Sequence, residues 1–199
     1  MTTRVLLLRH AQSEWNADGR WQGWADPPLS PEGTAAASAA RAHPALDSID
    51  AVASSDLARA LTTAELLAAG REWPAVLPLR GLRERGAGDW TGLTRAEIEV
   101  RWPGALAARF ADIPGGESVT AVTARAIVAL HRIAEHHPGR SVLAVSHGAL
   151  IRGLAHHLGA APEHLPNLGG LWIDVGPGRI RPGEAADLLG VEEVAEQSG

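Results

Sequence analysis

The stretch Val5-Leu6-Leu7-Leu8-Arg9-His10 decides the fold of this chain of 199 residues, because it joins a wholly apolar run to two basic side chains. Such a short apolar run is typical of a strand that is buried on both faces in the middle of a sheet. A second run of the same design, Ser141–Ser146, is followed directly by His147. Ligands of open α/β sheets bind at the carboxyl ends of the strands, so we expect the basic residues to meet there.

Patterns of strand and helix alternate along the rest of the chain. Further strands are predicted at residues 50–54, 76–79 and 171–175. Capping residues and stop signals predict helices at residues 13–18, 31–42, 55–69, 95–102, 105–111, 119–137 and 148–159. This alternation predicts an α/β fold, a three-layer α/β/α sandwich around a largely parallel central sheet.

One domain is expected over residues 1–199, because a chain of this length builds a single core. Its last part is rich in glycine, proline and acidic residues. We expect about 20 residues there to form a loosely packed tail, with at most a short ordered segment around residues 185–191.

The composition excludes several classes of protein. The chain has no cysteine, which excludes disulfides, thiol chemistry and cysteine-ligated zinc, and fits a reducing compartment. Its net charge of −5 gives no general attraction to nucleic acid or to an anionic membrane. The first apolar run is too short for a signal peptide, and no stretch has the length of a membrane span. We therefore expect a cytoplasmic protein with neither nucleic-acid nor membrane partners.

The basic residues favour an anion site. The chain has 18 arginines and no lysine, and the planar guanidinium of arginine suits phosphate oxygens. Arg59 lies near the start of the helix that follows the strand at residues 50–54. Taken alone, a histidine after a strand, such as His10 or His147, is more often structural than catalytic, and an arginine in a helix, such as Arg59, is usually a surface group. Placed together beside the start of a helix, they would form a pocket for a phosphate-like dianion.

Several stretches of the chain resemble the signature motifs of the histidine phosphatase superfamily, also called the phosphoglycerate mutase-like family. They occur in that family's order at residues 8–16 (LRHAQSEWN), 21–33 (WQGWADPPLSPEG), 54–64 (SSDLARALTTA), 82–93 (LRERGAGDWTGL), 115–118 (GGES) and 146–148 (SHG). Two positions depart from the family pattern, since Ala11 replaces the usual glycine and Gln12 the usual carboxylate. The resemblance implies a phosphoglycerate mutase-like fold.

The resemblance also implies roles for individual residues. His10 is expected to be the nucleophile that takes the phosphoryl group, and Glu84 the general acid. His10 should then be neutral, with its second ring nitrogen donating to a backbone carbonyl. The phosphate pocket would be formed by Arg9, Arg59 and His147. Four further residues are placed at the substrate: Asn16, Gln22, Gly23 and Gly148, the last through its backbone N–H. No metal and no cofactor are implied.

The expected reaction is hydrolysis of a phosphomonoester, through a phosphohistidine, on a small phosphorylated metabolite such as a sugar phosphate or a phosphoglycerate-type ester. Residues 82–96 look most like phosphatases of the glucosyl-3-phosphoglycerate type.

One alternative is a cofactor-dependent phosphoglycerate mutase, although the longer insertion of mutases between Glu84 and His147 is missing. Another is a non-catalytic module that binds phosphorylated ligands, although all the catalytic positions are filled. Phosphohistidine-protein phosphatases are shorter and lack a segment such as residues 94–137. Dimers are common in the family, and the quaternary state stays open.

Other motifs are weaker. The glycine-rich residues 86–92 lack the spacing of a dinucleotide-binding loop. The histidine pairs 136–137 and 156–157 are adjacent on helices and point in different directions, which argues against metal sites. Four tryptophans lie in the motif regions and are expected mainly to pack, with one or two as alternative walls of a leaving-group pocket: Trp15, Trp21, Trp24 and Trp90.

Overall fold

The computed structural model describes residues 1–108, 110–160 and 165–189. In this part of the chain one six-stranded sheet has the order β3-β2-β4-β1-β5-β6. The strands are β1 (Thr3–Arg9), β2 (Ala51–Ser54), β3 (Leu77–Pro78), β4 (Ser141–Ser146), β5 (Gly169–Gly176) and β6 (Arg179–Asp187). The first four strands in this order run parallel, β5 is antiparallel to β1, and β6 is antiparallel to β5. The prediction of a largely parallel sheet is confirmed.

The helices connect the strands and begin mostly at the predicted caps. They are α1 (Glu14–Ala17), α2 (Pro31–Ala40), α3 (Ala58–Ala68), α4 (Arg95–Arg101), α5 (Val119–His136) and α6 (Gly148–His157). The side chains of four cap residues each accept a hydrogen bond from the first turn: Ser13, Ser30, Thr94 and Ser118. The predicted start of α3 at residue 55 is wrong by three residues. Leu57 precedes the helix without a capping side chain, and the carboxylate of Asp26 accepts from the N–H of Ala58 at 2.8 Å instead.

Two apolar cores cover the two faces of the sheet. Alternate residues of β1 point to opposite faces, so Val5 and Leu7 pack in one core and Leu6 and Leu8 in the other. The first core contains residues of α5 and α6, and the second contains residues of α2 and α3. All four β1 side chains are 0% exposed. The α/β/α sandwich predicted from the sequence is therefore confirmed. No helix among the described residues has the length and apolarity needed to cross a membrane.

The helix predicted at residues 105–111 is wrong. The described residues of this segment form turns and bends after Gly104, whose φ is +78°. Leu106 and Ala111 pack instead with Ile113 around Trp90, which is 0% exposed. A helix this short gains little from its own hydrogen bonds, so packing around an indole decides its conformation.

The C-terminal region contains a strand that the sequence analysis did not predict. Residues 179–187 form β6, joined to β5 by a tight turn in which Gly178 has a φ of +65°. Pro182 lies opposite Ile173 next to an irregularity in the pairing, and proline is tolerated in such an edge strand. Part of the segment expected at residues 185–191 is thus strand. Residues 190–199 lie outside the described residues, and the loosely packed tail stays a prediction there.

Candidate active site

The ends of the two central strands bring two histidines together. Arg9 pairs with Ser146 in the parallel register of β1 and β4, and the His10 N–H donates to the carbonyl oxygen of Ser146 at 2.9 Å. His10 and His147 each come directly after these strands. Their rings meet edge to face, with centroids 5.0 Å apart. Residues separated by most of the chain thus share one site, because neighbouring parallel strands end at the same edge.

His10 is buried and neutral. The residue is only 2% exposed, and its Nδ1 lies 2.6 Å from the carbonyl oxygen of Ala11. A carbonyl oxygen only accepts, so Nδ1 carries the hydrogen and Nε2 keeps its lone pair. Burial, followed by the charges of Arg59 and Arg9, lowers the pKa of His10 well below its usual value. The lone pair of Nε2 is therefore not taken up by a proton.

Arg59 brings a buried positive charge to His10. It lies in the first turn of α3 and is 1% exposed. Its guanidinium donates to the carbonyl oxygens of Gly23 and Ala25 at 2.9 and 2.8 Å, and Asp26 lies 3.5 Å away. Burial lowers the pKa of Arg59 from its usual value, which still leaves it charged at neutral pH.

Buried nitrogen atoms without partners surround the same point. Six buried side-chain nitrogen and oxygen atoms of the described residues lack a hydrogen-bond partner. Four of these six belong to the site: Nε of Arg9, Nε of Arg59, and both ring nitrogens of His147. Buried polar atoms are rarely left unsatisfied, and an oxyanion with several oxygens would satisfy such a group.

Arg9 and His147 add further hydrogen-bond donors to this group. Arg9 donates through Nη1 to the carbonyl oxygen of Leu165 at 2.9 Å, which leaves the rest of its guanidinium for another acceptor. His147 is 0% exposed, and burial together with nearby positive charge lowers its pKa well below the usual value. A neutral His147 can donate one hydrogen bond without adding a full charge.

The Glu84 carboxylate lies at the N-terminus of α6. Oε1 accepts from the N–H groups of Arg85 and Leu150 at 2.8 and 3.1 Å, and Oε2 accepts from Ala149 at 3.2 Å. His147, the residue before this helix, makes no capping hydrogen bond through its side chain. Glu84 therefore caps the helix from a distant part of the chain, and its carboxyl group lines the same cavity as His10.

Asn16 and Gln22 line the cavity with amide groups. Ser13 Oγ lies 3.1 Å from Asn16 Oδ1 and 3.0 Å from Gln22 Oε1, close enough to donate to either oxygen. The NH₂ groups of both amides have no partner among the residues that the structure describes. They are thus available to donate to an anion.

Gly23 is required by a close approach of the backbone, whereas Gly148 begins a helix beside the site. Gly23 has a φ of +54°, and a Cβ there would lie 2.6 Å from the nitrogen of Ala87. Gly148 is the first residue of α6, so its N–H has no partner within the helix. Gly148 and His147 are buried and are not among the residues that line the cavity, although the next residue, Ala149, is. A Cβ at Gly148 would lie 3.1 Å from Nη1 of Arg152 and 3.4 Å from Nε of Arg9.

A cavity of about 500 Å³ opens from this point to the surface. Its inner side, called the buried wall, carries the buried His10 and Arg59 with the half-buried Arg9 and Glu84. Its outer side, called the exposed wall, carries the exposed Arg95 and Arg152 with the half-buried Leu106 and Phe110. Of the tryptophans, Trp15 and Trp21 line the cavity, in agreement with the alternative that one or two form a wall. Trp90 packs in the core beneath, and the half-exposed Trp24 donates to the carbonyl oxygen of Glu84 at 2.7 Å.

Two residues near His10 had no assigned role in the sequence analysis. Asn167 donates through Nδ2 to the carbonyl oxygen of His10 at 2.8 Å. The Thr63 hydroxyl accepts from the N–H of Ala11 at 3.1 Å and donates to the carbonyl oxygen of Arg59 at 2.7 Å. Thr63 lies within a family-like stretch and could have been noticed there, whereas no pattern in the sequence marks Asn167.

The metal-ligating residue types do not gather into a site in the described ranges. No group of three or more histidines, aspartates and glutamates there is placed to hold a metal ion.

Comparisons with known proteins agree with this geometry. The family model described as "Histidine phosphatase superfamily (branch 1)" matches residues 5–171. A glucosyl-3-phosphoglycerate phosphatase from Mycolicibacterium vanbaalenii is 36% identical over 93% of this chain and 90% of its own. A 2,3-bisphosphoglycerate-dependent phosphoglycerate mutase from Methylobacterium radiotolerans is 34% identical over 84% of this chain and 85% of its own.

A solved structure shares the fold. It is a mycobacterial glucosyl-3-phosphoglycerate phosphatase in complex with VO3, with a TM-score of 0.80 and 31% identity over 91% of this chain and 97% of that one. The expectation of a phosphoglycerate mutase-like fold, made from the motifs, is confirmed by this likeness.

Proposed function

We propose, since this chain belongs to the histidine phosphatase superfamily, that it hydrolyses phosphomonoesters through a phosphorylated His10. The observation that carries the proposal is a neutral, buried His10 ring whose Nδ1 is bound to a backbone carbonyl. The ring lies beside the partnerless nitrogens of Arg9, Arg59 and His147. A nucleophile and the donors for a dianion thus occupy one point.

In the first step, Nε2 of His10 attacks phosphorus and the bond from phosphorus to the ester oxygen breaks. Arg9, Arg59 and His147 donate to the phosphoryl oxygens, where charge is spread in the transition state. An alkoxide is a poor leaving group. The ester oxygen therefore takes a proton from the carboxyl group of Glu84 and departs as an alcohol. The products are phospho-His10, a Glu84 carboxylate and the alcohol.

In the second step, water attacks phospho-His10. The Glu84 carboxylate takes one proton from that water as the bond between phosphorus and Nε2 breaks. Orthophosphate leaves, His10 is neutral again, and Glu84 carries its proton for the next cycle. Asn16, Gln22 and the N–H of Gly148 assist both steps as neutral hydrogen-bond donors to the phosphoryl group.

The substrate class proposed is a small phosphorylated metabolite, such as a sugar phosphate or a phosphoglycerate-type ester. A cavity of about 500 Å³ is the size that suits a small molecule. The name of the relative from Mycolicibacterium vanbaalenii, a glucosyl-3-phosphoglycerate phosphatase, supports an ester of this kind.

Mutase activity is the second candidate, because a phosphoglycerate mutase is also among the relatives. A mutase must keep water from phospho-His10 until an isomeric substrate takes the phosphoryl group. The exposed residues Arg95 and Arg152 on the cavity wall leave the site open to solvent, which favours hydrolysis. The cytoplasmic location, the dimer, the lack of nucleic-acid partners and the lack of a metal stay predictions.

One assay tests the proposed function. The purified chain is incubated with 3-phosphoglycerate, phosphoserine, glucose 6-phosphate, glucosyl-3-phosphoglycerate and p-nitrophenyl phosphate, and released phosphate is measured. A parallel reaction contains 3-phosphoglycerate with its bisphosphate primer, and isomerisation is followed. Phosphate release faster than isomerisation is expected, with an acid-labile phosphohistidine trapped on His10 during turnover. Isomerisation that exceeds release would establish the mutase, and no turnover of any ester would leave only ligand binding.

A further inference from the structure

One arginine of a distant helix contacts the backbone segment that carries Glu84 at several points. Arg125 of α5 donates through Nη1 to the carbonyl oxygens of Gly81 and Arg83, at 3.0 and 2.6 Å. Through Nη2 it donates to the carbonyl oxygen of Glu84 itself, at 2.8 Å. Three carbonyl groups within four residues thus accept from a single guanidinium, which fixes the path of the chain up to Glu84.

Glu117 fixes the orientation of that guanidinium. Its carboxylate accepts from Nε and Nη2 of Arg125 at 2.7 Å each, the two parallel hydrogen bonds that a carboxylate and a guanidinium form best. The same carboxylate accepts from the N–H of Gly86 at 3.2 Å. The two side chains are 21% and 17% exposed, so the pair is only partly screened by solvent. Glu117 and Arg125 thus form hydrogen bonds with the backbone on both sides of Glu84.

The segment needs this support because it has little regular structure of its own. A short 3₁₀ turn covers residues 80–82, and residues 83–87 belong to no helix or strand. The turn lies directly against α5, since a Cβ at Gly81 would be 2.9 Å from that of Ala129. Ser146 adds one more tie, donating through its hydroxyl to the carbonyl oxygen of Leu82 at 2.8 Å.

The requirement on Glu84 is geometric. A general acid has to lie within hydrogen-bond distance of the ester oxygen as the bond to phosphorus breaks. A displacement of about 1 Å from the productive geometry can cost on the order of 100-fold in rate. His10 and Arg59 lie on other elements, so a shift of the Glu84 segment would leave the nucleophile and the phosphate donors where they are.

We propose that Arg125, oriented by Glu117, is a positioning residue that places the Glu84 carboxyl group for protonation of the leaving group. This inference rests on the proposed function. Arg125 touches neither the substrate nor the transferred proton, which passes from Glu84 to the ester oxygen. Loss of Arg125 therefore impairs the reaction to the extent that the leaving group needs a proton.

The test compares two classes of ester. p-Nitrophenolate leaves readily without a proton, whereas an alkoxide does not. We measure kcat/KM for p-nitrophenyl phosphate and for the alkyl ester of the panel that the wild-type chain cleaves fastest. In Arg125→Met, kcat/KM for the alkyl ester should fall about tenfold more than for the aryl ester. Glu84→Gln should lower the ratio of kcat/KM for the alkyl ester to kcat/KM for the aryl ester even further.

Two more variants keep the test decisive. Arg125→Lys retains the charge but cannot reach three carbonyls at once, so it should shift the ratio less; it replaces Arg125→Met if that variant does not fold. Glu117→Gln should shift the ratio in the same direction by releasing the guanidinium. Arg132→Met changes an exposed arginine of the same helix and should leave both esters unaffected.

Three outcomes would overturn the inference, and they differ from one another. Equal losses on both esters in the Arg125 variants would mean that Arg125 only stabilises the fold. An unchanged ratio in Glu84→Gln would remove Glu84 as the acid, and with it any positioning role. A wild-type chain that cleaves no alkyl ester would refute the proposed function itself.

Discussion

The buried wall and the exposed wall of the cavity are built on different principles. On the buried wall, His10, Arg9 and Arg59 come from the end of β1 and the start of α3, and each donates to a backbone carbonyl. On the exposed wall, the guanidinium groups of Arg95 and Arg152 have no hydrogen bond or ion pair with any described residue. A side chain tied to the backbone keeps its geometry without a ligand, whereas a free one adapts to a ligand at some cost in entropy.

The difference separates two tasks within one cavity. The buried wall has charges whose positions are fixed before the substrate arrives, which is the arrangement that transition-state stabilisation requires. The exposed wall combines solvated charge with the apolar side chains of a segment without helix or strand. We therefore expect changes on the buried wall to act on the rate of chemistry, and changes on the exposed wall to act on substrate selection.

The largest effect is expected from His10→Ala, because it removes the nucleophile of the buried wall. Phosphate release should fall by at least about 10⁴-fold, and no acid-labile phosphoenzyme should be trapped. Released phosphate and intact-mass spectrometry check both results. His136→Ala changes an exposed histidine at the end of α5 and should keep the wild-type rate. If His10→Ala still turns over at an appreciable rate, the nucleophile is another residue.

The second effect concerns pH and stability. The pKa of His147 in the folded protein lies well below its usual value, because of burial and then of nearby positive charge. Below about pH 6.5 the unfolded chain binds a proton at this histidine while the folded chain does not, so stability is lost as pH falls. His147→Gln removes this contribution. Its stability should fall less steeply with pH, by up to about 1.4 kcal/mol per pH unit.

Urea unfolding at about pH 7.5 and about pH 5.5 measures that difference in slope. His157→Gln is the matched control, because it removes a histidine whose side chain is exposed. Equal slopes for the wild type and His147→Gln would mean that His147 is not held neutral in the folded state, and the contrast between the two walls would weaken.

The smallest effect is expected on the exposed wall, from Arg152→Met. Burial lowers the pKa of Arg9, the charge of Glu84 raises it, and the charge of Arg152 lowers it further. Arg152 is therefore close enough to act electrostatically on the buried wall. KM for an anionic ester should rise about twofold to fivefold with kcat unchanged, as expected for one solvated charge. The effect should shrink at high ionic strength, and Arg132→Met should show none. A large fall in kcat would assign Arg152 to the chemistry instead.

The sequence predicted those parts of the site that depend on the central strands. Apolar runs of four to six residues located β1 and β4, and the rule for strand ends then brought Arg9, His10 and His147 together. Arg59 needed only the position of the next strand and helix. The resemblance to family motifs added Glu84, whose place no periodicity indicates.

The rest depended on tertiary contacts that no local pattern encodes. The turns at residues 105–111 follow from packing around Trp90, which overrides the helix propensity of alanine and leucine. β6 escaped prediction because glycine and proline obscure its strand pattern, while its partner β5 supplies the pairing. In the sequence, Arg125 is only one charged residue of an amphipathic helix. Its hydrogen bonds to the carbonyl groups of residues 81–84 depend on the tertiary structure.

The pairing of β1 also has a consequence for how the protein is made on the ribosome. Val5 leaves the ribosome well before its two hydrogen-bonding neighbours, Val142 on one side and Ile173 on the other. Contacts this distant in sequence form late and slow folding. During synthesis the apolar segment that carries His10 stays unpaired until β4 and β5 have been translated. A nascent chain halted before β5 would carry both site histidines but could not complete the sheet that holds them.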